Sequence, residues 1–143
     1  MDEGVDTEEE AWCAGERQRV VAYLKAENLV HGEVGNWPAW HVRSCVAIWA
    51  IESVKKPGYV GWWAVSGDLP TDYTTCGLER HPREGLRDIA ARWRHAAECW
   101  AANKPVEGWS IGFPEDSPTL GPMLAARAEL LMSWAADDNL WDD

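Results

Sequence analysis

The sequence predicts a fold of the α+β class, in which helices pack on an antiparallel sheet built around a central β-hairpin. Two apolar runs, at about 43–54 and 59–67, are rich in β-branched and aromatic residues. The segment Lys55-Lys56-Pro57-Gly58 between them has proline and glycine in the order that a type II turn requires. Helical periodicity before and after these runs predicts one N-terminal helix and two C-terminal helices.

Each predicted helix has signals at its ends and along one face. The first, at about 7–28, begins among acidic residues, which the helix dipole favours. The second, at about 82–102, has Pro82 at its first position, and the third begins with Ser117 as N-cap and fades near Asp137. The apolar faces are expected at Trp12, Cys13, Val20, Val21 and Leu24 in the first helix, at Leu86, Ile89, Ala90, Trp93, Ala97 and Trp100 in the second, and at Leu120, Met123, Leu124, Leu131 and Trp134 in the third.

The two apolar runs are predicted to be strands that pair with each other. A buried helix is the alternative for the run at about 43–54, because its apolar residues also fit a helical period. Both faces of both runs are largely apolar, which is typical of strands covered on two sides. For a turn on residues 56–59, the expected cross-strand pairs are Trp49 with Ser66, Ile51 with Ala64, and Glu52 with Trp63. Further strands are expected among Val34, Thr71–Thr75 and Ser110–Phe113.

Length and charge predict one domain with two acidic ends. The chain has 143 residues, the size of an ordinary domain, and a formal net charge of −11. Residues 1–10 hold six acidic residues and residues 137–143 hold four, without a Lys or Arg in either stretch. We therefore expect a frayed end at 1–10, a globular domain at 11–136 and an acidic tail at 137–143. An acidic docking surface or a nucleic-acid mimic is the alternative for these ends.

Several function classes lack their sequence signals. The chain has no run of 18 apolar residues and no signal peptide, so we expect a cytoplasmic protein without a membrane span. The four cysteines form no C-x-x-C pair and the histidines form no H-E-x-x-H motif, so no metal site and no cofactor is expected. No G-x-S-x-G, P-loop or G-x-G-x-x-G motif is present, and no catalytic residue is assigned.

Tryptophan is the most unusual component, with 11 residues in 143. The core is expected to hold Trp49, Trp93, Trp100 and Trp134. Tryptophan is also favoured at binding hot spots. The candidates for a partner-binding surface are Trp37, Trp40, and one of Trp62 and Trp63, which are adjacent and therefore point to opposite faces of a strand. His41, beside Trp40, is the histidine expected nearest to such a site.

A polar loop after the second strand is the candidate for a small-ligand or metal site. The segment Gly67-Asp68-Leu69-Pro70-Thr71-Asp72-Tyr73 joins two carboxylates and a phenol at a strand end. Asp68, Asp72 and Tyr73 form an acid–base or cation-binding set only if Glu52 or His41 converges on them. Ordinary turn chemistry, in which such side chains bond nearby backbone groups, is the alternative.

Basic residues on the second predicted helix raise a third hypothesis, binding of single-stranded nucleic acid. Five arginines occur within 15 residues there: Arg80, Arg83, Arg87, Arg92 and Arg94. Acidic residues are interleaved with them and the chain ends are acidic, so a solvated helix face is favoured over a nucleic-acid site.

Four strings carry a family resemblance, namely Trp37-Pro-Ala-Trp-His41, Val46-Ala-Ile-Trp-Ala-Ile-Glu-Ser53, Pro57-Gly-Tyr-Val-Gly-Trp-Trp63 and Gly67-Asp-Leu-Pro-Thr-Asp-Tyr73. From about Trp12 to Trp141, the chain resembles a family of small bacterial proteins defined only as a domain of unknown function. The resemblance implies a bacterial cytosolic protein and assigns no activity and no site residue.

Taken together, these observations favour a non-catalytic interaction module that uses a tryptophan-rich surface. Its partner is an unidentified protein or small molecule, and the sequence leaves a homodimer open. A small-ligand or metal site at the loop from Gly67 to Tyr73 is the alternative function.

Overall fold

The computed structural model describes residues 7–77, 81–102 and 117–141, and its architecture confirms the α+β class. The predicted helix boundaries agree with the structure within two residues. The elements are α1 (Thr7–Ala26), β1 (Trp40–Val42), β2 (Val46–Glu52), β3 (Val60–Gly67), β4 (Asp72–Thr75), α2 (Pro82–Ala101), α3 (Ser117–Ala136) and a short 3-10 helix (Asp138–Leu140).

The chain divides into two compact units, Met1–Gly85 and Leu86–Asp143. The first unit holds α1, the sheet and the first turn of α2, and the second holds the rest of α2 with α3. The single domain at 11–136 remains a prediction. Within the end that was expected to fray, residues 7–10 form the start of α1.

The sheet of the first unit is an antiparallel meander with strand order β1-β2-β3-β4. The run at about 43–54 contains β2, so the strand interpretation is correct and the buried-helix alternative is wrong. The expected strand at Thr71–Thr75 is β4, and Val34 forms an isolated bridge with Ile51. Ser110–Phe113 lies outside the described residues.

The predicted pairing of the central hairpin is wrong by two residues along most of β3. A shift by an even number of residues leaves every side chain on its predicted face of the sheet, because side chains alternate with a period of two. The observed pairs are Trp49 with Ala64 and Ile51 with Trp62, each two residues from the predicted pair, and Glu52 with Val60, which is three residues from it.

The turn on residues 56–59 is the one predicted, and the difference in register arises in the strand residues next to it. The Tyr59 amide donates to the Lys56 carbonyl at 3.0 Å, and Gly58 has the positive φ, 90°, of a type II turn. Before the regular ladder starts, the Ser53 amide donates to the Tyr59 carbonyl at 2.8 Å. Gly61 is then an extra residue on β3, at the register shift opposite the end of β2. Next to the turn, the two strands therefore contribute unequal numbers of residues, and this inequality changes the register.

Helix α1 covers one face of the sheet with Val20 and Leu24, which are fully buried. These two residues pack in one core cluster with β2 and β3 side chains, namely Ala47, Trp49, Ile51 and Ala64. The expected apolar stripe is wrong at Val21, which is 38% exposed. The buried residues of α1 recur every three or four positions, at Cys13, Glu16, Val20 and Leu24, and Val21 lies beside that face. Glu16 forms an ion pair with Arg19, whose Nη1 lies 3.7 Å from Oε1.

In the second unit, the predicted apolar face of α2 is confirmed, since all six of its residues are buried. The face predicted for α3 is correct at Leu124 and Leu131 and wrong at Met123, which is 55% exposed. Small residues, Ala128 and Ala135, complete the buried face at helical spacing. Trp134 is half-buried rather than part of the core, and its carbonyl accepts a hydrogen bond from the Trp141 indole.

The arginines of α2 have partners in the fold. Arg94 forms an ion pair with Glu129 of α3. Arg80 lies outside the described residues. No helix in the described parts of the chain has the length and hydropathy that crossing a membrane requires.

We predict that Gly67→Ala destabilises the first unit by about 2 kcal/mol or more, since a side chain at a positive φ costs on the order of 1–3 kcal/mol. Gly67 has φ 135°, and a Cβ there would overlap the Cys45 carbonyl oxygen. Urea unfolding measures the change. The control is Gly77→Ala, where a Cβ meets nothing within 4 Å, and its effect is expected within about 0.5 kcal/mol. Equal effects of the two variants would contradict the prediction.

Candidate functional site

Two segments, one around Val34 and the other β1, pair with the edge of β2 that faces away from β3. Their registers on β2 differ. Val34 bridges to Ile51, and Trp40 pairs with Ile48. Val34 and Trp40 lie six residues apart, whereas their partners on β2 lie three apart. Three extra residues therefore leave the edge between the two pieces, and this bulge consists of Asn36-Trp37-Pro38.

Arg17 of α1 holds the backbone just before the bulge. Its Nε donates to the Gly35 carbonyl at 2.9 Å, and its Nη2 donates to the Val34 carbonyl at 2.8 Å. The planar guanidinium presents both donors in a fixed fork, so two neighbouring carbonyls are bound at once. Pro38, on the other side of Trp37, is buried. The bulge is thus fixed at both of its ends.

An aromatic and acidic cluster forms where the bulge meets β1 and α1. Trp37 is 43% exposed, and its ring meets the His41 ring edge-on at a centroid distance of 5.5 Å. The other neighbour of His41 is Trp12, which stacks on it at 6.2 Å. The His41 Nε2 is hydrogen-bonded to Glu9 Oε2 at 2.6 Å. We call Glu9, Trp12, Trp37 and His41 together the Trp37 surface.

The other tryptophans predicted for a binding surface are more enclosed. Trp40 precedes His41 on β1, so its side chain points to the opposite face of the sheet, where it is half-buried. Trp62 is half-buried and packs against the core cluster beneath α1. Trp63 is 3% exposed, and a Cβ on Gly85 would lie 2.7 Å from its ring. Among the four predicted residues, Trp37 alone is left exposed.

The loop after β3 places its two carboxylates in different environments. Asp68 is exposed, whereas Asp72 is 3% exposed at the start of β4. The Asp72 Oδ1 accepts hydrogen bonds from the Tyr73 amide at 2.8 Å and from the Tyr23 hydroxyl at 3.3 Å. The two tyrosine rings meet edge-on at 6.0 Å. Burial and the nearby Asp72 carboxylate raise the pKa of Tyr23 well above its usual range.

Glu52 and His41 lie away from this loop. His41 and Asp72 are on the two outer strands of the sheet, so three strand spacings, roughly 14 Å, separate their backbones. Ile48 of β2 is in the same cross-strand row as Asp72. Glu52 lies four residues further along β2, so it is displaced from that row by roughly 13 Å along the strand direction. The structure therefore brings Asp72 and Tyr73 together with Tyr23, and brings Trp37 and His41 together with Glu9.

The site residues that sequence reasoning missed are all on α1: Glu9, Trp12, Arg17 and Tyr23. Each reaches the site through a contact with a residue at least 17 positions away along the chain. Trp12 was interpreted as part of the buried stripe and Glu9 as part of a solvated end. The one available signal was that the polar Arg17 and the aromatic Tyr23 lie close to the apolar positions of an otherwise weakly amphipathic helix.

Metal-ligating residues do not cluster in the described parts of the chain, where no group of three or more His, Cys, Asp and Glu side chains is found. None of the four cysteines, all of which lie in the described residues, forms a disulfide bond. Burial raises the pKa of the Cys13 thiol, and the carboxylates of Glu9 and Glu16 raise it further. Cys13 therefore stays protonated at neutral pH, and its low thiolate content disfavours metal ligation and nucleophilic attack.

We predict that Arg17→Ala destabilises the first unit by about 2 kcal/mol, because two carbonyls lose charge-assisted hydrogen bonds. Arg17→Lys restores little of this stability, since an ammonium lacks the fork that spans both carbonyls. Urea unfolding of both variants gives the values. Gln18→Ala, at an exposed neighbour on the same helix, is the control. Full recovery of stability in Arg17→Lys would disprove bidentate anchoring.

Tyr23 is predicted to make the protein lose stability at alkaline pH. Its folded-state pKa is raised, so its stabilising effect is complete below the unfolded value of 10.0 and is lost as pH rises above that value. Tyr23→Phe should cost about 1.5 kcal/mol at neutral pH, because the Asp72 carboxylate loses a donor, and should flatten the decline above pH 10. Urea unfolding across this range is the measurement. Tyr59→Phe, at an exposed tyrosine, should keep the wild-type pH profile.

Comparisons with known proteins give one match. A search of curated proteins found no match, and neither did a search of solved structures. The sequence profile of the family described as a domain of unknown function, DUF4826, matches residues 6–141, which covers both compact units. The chain therefore belongs to the DUF4826 family.

Proposed function

We propose that this protein is a non-catalytic binding module that recognises a partner protein through the Trp37 surface. The observation that carries the proposal is that Trp37 is 43% exposed and yet fixed in position. Its ring rests against His41, and its backbone lies between the Arg17-bound carbonyls and the buried Pro38.

A fixed, exposed tryptophan is the kind of residue that dominates binding energy at protein interfaces. It offers a large contact area, and it loses little conformational freedom on binding because the surrounding fold has already ordered it. Trp12 and His41 extend the aromatic area beside it. Trp37, together with the half-buried His41 and Trp12 rings behind it, thus supplies a centre around which a partner can pack.

Charge supports a partner of positive character. Glu9 belongs to the Trp37 surface, and Glu8 and Glu10 adjoin it in the first turn of α1. The formal net charge of the whole chain is −11. A basic protein segment complements this field, and its Arg or Lys side chains find a favourable electrostatic position over an indole face. The bacterial cytosolic setting implied by the family resemblance is part of this proposal.

The alternative site at the Gly67–Tyr73 loop has less support. The Asp72 carboxylate is buried and accepts hydrogen bonds from Tyr23 and from the Tyr73 amide. These contacts give it a role in holding β4 against α1. Asp68 is exposed at the same loop, but Glu52 and His41, the groups needed to complete a site, lie on other parts of the sheet.

The test combines crosslinking with affinity measurement. A photo-crosslinking amino acid replaces Trp37 in one variant and Met123, which is 55% exposed on α3, in a matched variant. We expect a basic partner protein to be captured at position 37 and not at position 123. With the purified partner, Trp37→Ala should weaken binding by about 30-fold, a hot-spot loss of about 2 kcal/mol, while Met123→Ala binds as wild type.

Two outcomes would contradict this proposal. In the first, Trp37→Ala binds the captured partner as tightly as Met123→Ala does. In the second, the crosslink joins position 37 to another copy of this acidic chain, which would make the module a homodimer instead. Binding to a basic partner should also weaken as salt is raised, because added ions screen exposed charges.

A further inference from the structure

A cavity of about 390 Å³ lies beside the β2–β3 turn, within the first unit and apart from the residues of the Trp37 surface. Its lining residues include Ala50 and Val60, whose side chains are apolar, and Tyr59, whose side chain is aromatic. The two acidic residues of the lining are Glu33 and Glu52. The cavity thus combines apolar and aromatic surface with negative charge.

Glu52 is held in place by the backbone around it. Its Oε2 accepts a hydrogen bond from the Gly58 amide at 2.7 Å, and its Oε1 accepts one from the Glu33 amide at 3.2 Å. These two donors lower the pKa of Glu52, so its carboxylate is ionised at neutral pH. Gly32 allows this arrangement, since a Cβ there would lie 2.7 Å from Oε1. The negative charge has a fixed position at the cavity.

The two glutamates at this cavity have no basic ion-pair partner among the described residues. An ionised carboxylate has about four lone-pair positions, and the two backbone donors use two of those on Glu52. Acceptor capacity therefore remains for a ligand that brings hydrogen-bond donors and positive charge.

We propose that this cavity binds an alkylammonium or alkylguanidinium group. The cationic head hydrogen-bonds to Glu52, with Glu33 adding negative charge, and the aliphatic stem contacts Ala50 and Val60. The Tyr59 ring adds a cation–π contribution. The proposal goes beyond the proposed function and does not depend on it, because it uses none of the residues of the Trp37 surface.

The chemistry of the lining excludes other ligand classes. An anionic ligand is repelled by two carboxylates, and a purely apolar ligand leaves the charge of Glu52 without a partner. A tightly held metal ion generally requires more oxygen ligands than these two side chains supply. An organic cation on an apolar stem uses both the charge and the apolar lining.

The experiment is a titration of the full chain followed by amide NMR. The probes are n-butylammonium and n-butylguanidinium, and n-butanol is the uncharged control of the same stem. We expect the amide signals of Gly58 and Glu33 to shift in a saturable way with both cations and to remain unchanged with n-butanol. These amides report directly, because they donate to the Glu52 carboxylate.

Variants test the assigned contacts. Glu52→Gln should weaken binding of both cations by about tenfold, the loss expected for one charge-assisted hydrogen bond. Glu98→Gln, at an exposed glutamate on α2, should bind as wild type. If Glu52→Gln does not fold, Tyr59→Leu serves instead, since Tyr59 is 53% exposed and its removal should weaken binding of the cations with the fold retained.

Two sources of the cation are distinguished by a further probe, N-acetyl-lysine methylamide. Tighter binding of this probe than of n-butylammonium assigns the site to a lysine or arginine side chain of a protein. Weaker binding assigns it to a small free amine, and both results support a cation site. The proposal fails if n-butanol shifts the same signals with equal affinity, if no probe shifts them, or if Glu52→Gln binds as wild type.

Discussion

The structure of the first unit depends on strand β2, which is buried on both faces and hydrogen-bonded along both edges. Five of its seven residues have no exposed surface: Val46, Ala47, Ile48, Trp49 and Ile51. A strand in this position must have all its backbone groups paired, because water does not reach them. β3 supplies one edge in a nearly continuous ladder. The other edge is supplied by two short pieces whose phases differ by three residues, and the bulge that carries Trp37 is the result.

The sequence predicted the elements of the fold well, because their signals are local. Pro82 and Ser117 mark the starts of two helices, and the Pro57-Gly58 pair marks the turn that the structure contains. The sequence predicted the strand register less well, because the register depends on how many residues of each strand lie between the turn and the first regular pair. Gly61 was the one signal of a bulge inside a strand pattern. Burial on α1 and α3 was harder still to predict, since Glu16, Ala128 and Ala135 occupy inward positions that the predicted apolar faces did not include.

In the candidate site, too, contacts between residues close in sequence were predictable, whereas contacts made by the packing of distant segments were not. Trp37 and His41 are four residues apart, so their proximity follows from local chain geometry. Glu9 and Trp12 join them only because α1 packs across the sheet, and this packing is set by the core contacts of Val20 and Leu24. Glu52 was selected because its carboxylate would complete a set with the Gly67–Tyr73 loop, and the predicted register paired it with Trp63 instead of Val60. The structure instead places it beside the turn, where it accepts the Gly58 amide.

The bulge and its arginine also affect how the sheet meets other sheets. An exposed strand edge offers unpaired carbonyl groups to which another chain can add a strand, and this is a common route to aggregation. Here the carbonyls of Val34 and Gly35 are occupied by Arg17, and the next three residues turn away from the line of the strand. An incoming strand would lose register at the bulge after a few residues. The feature that displays Trp37 thus protects this edge from edge-to-edge polymerisation.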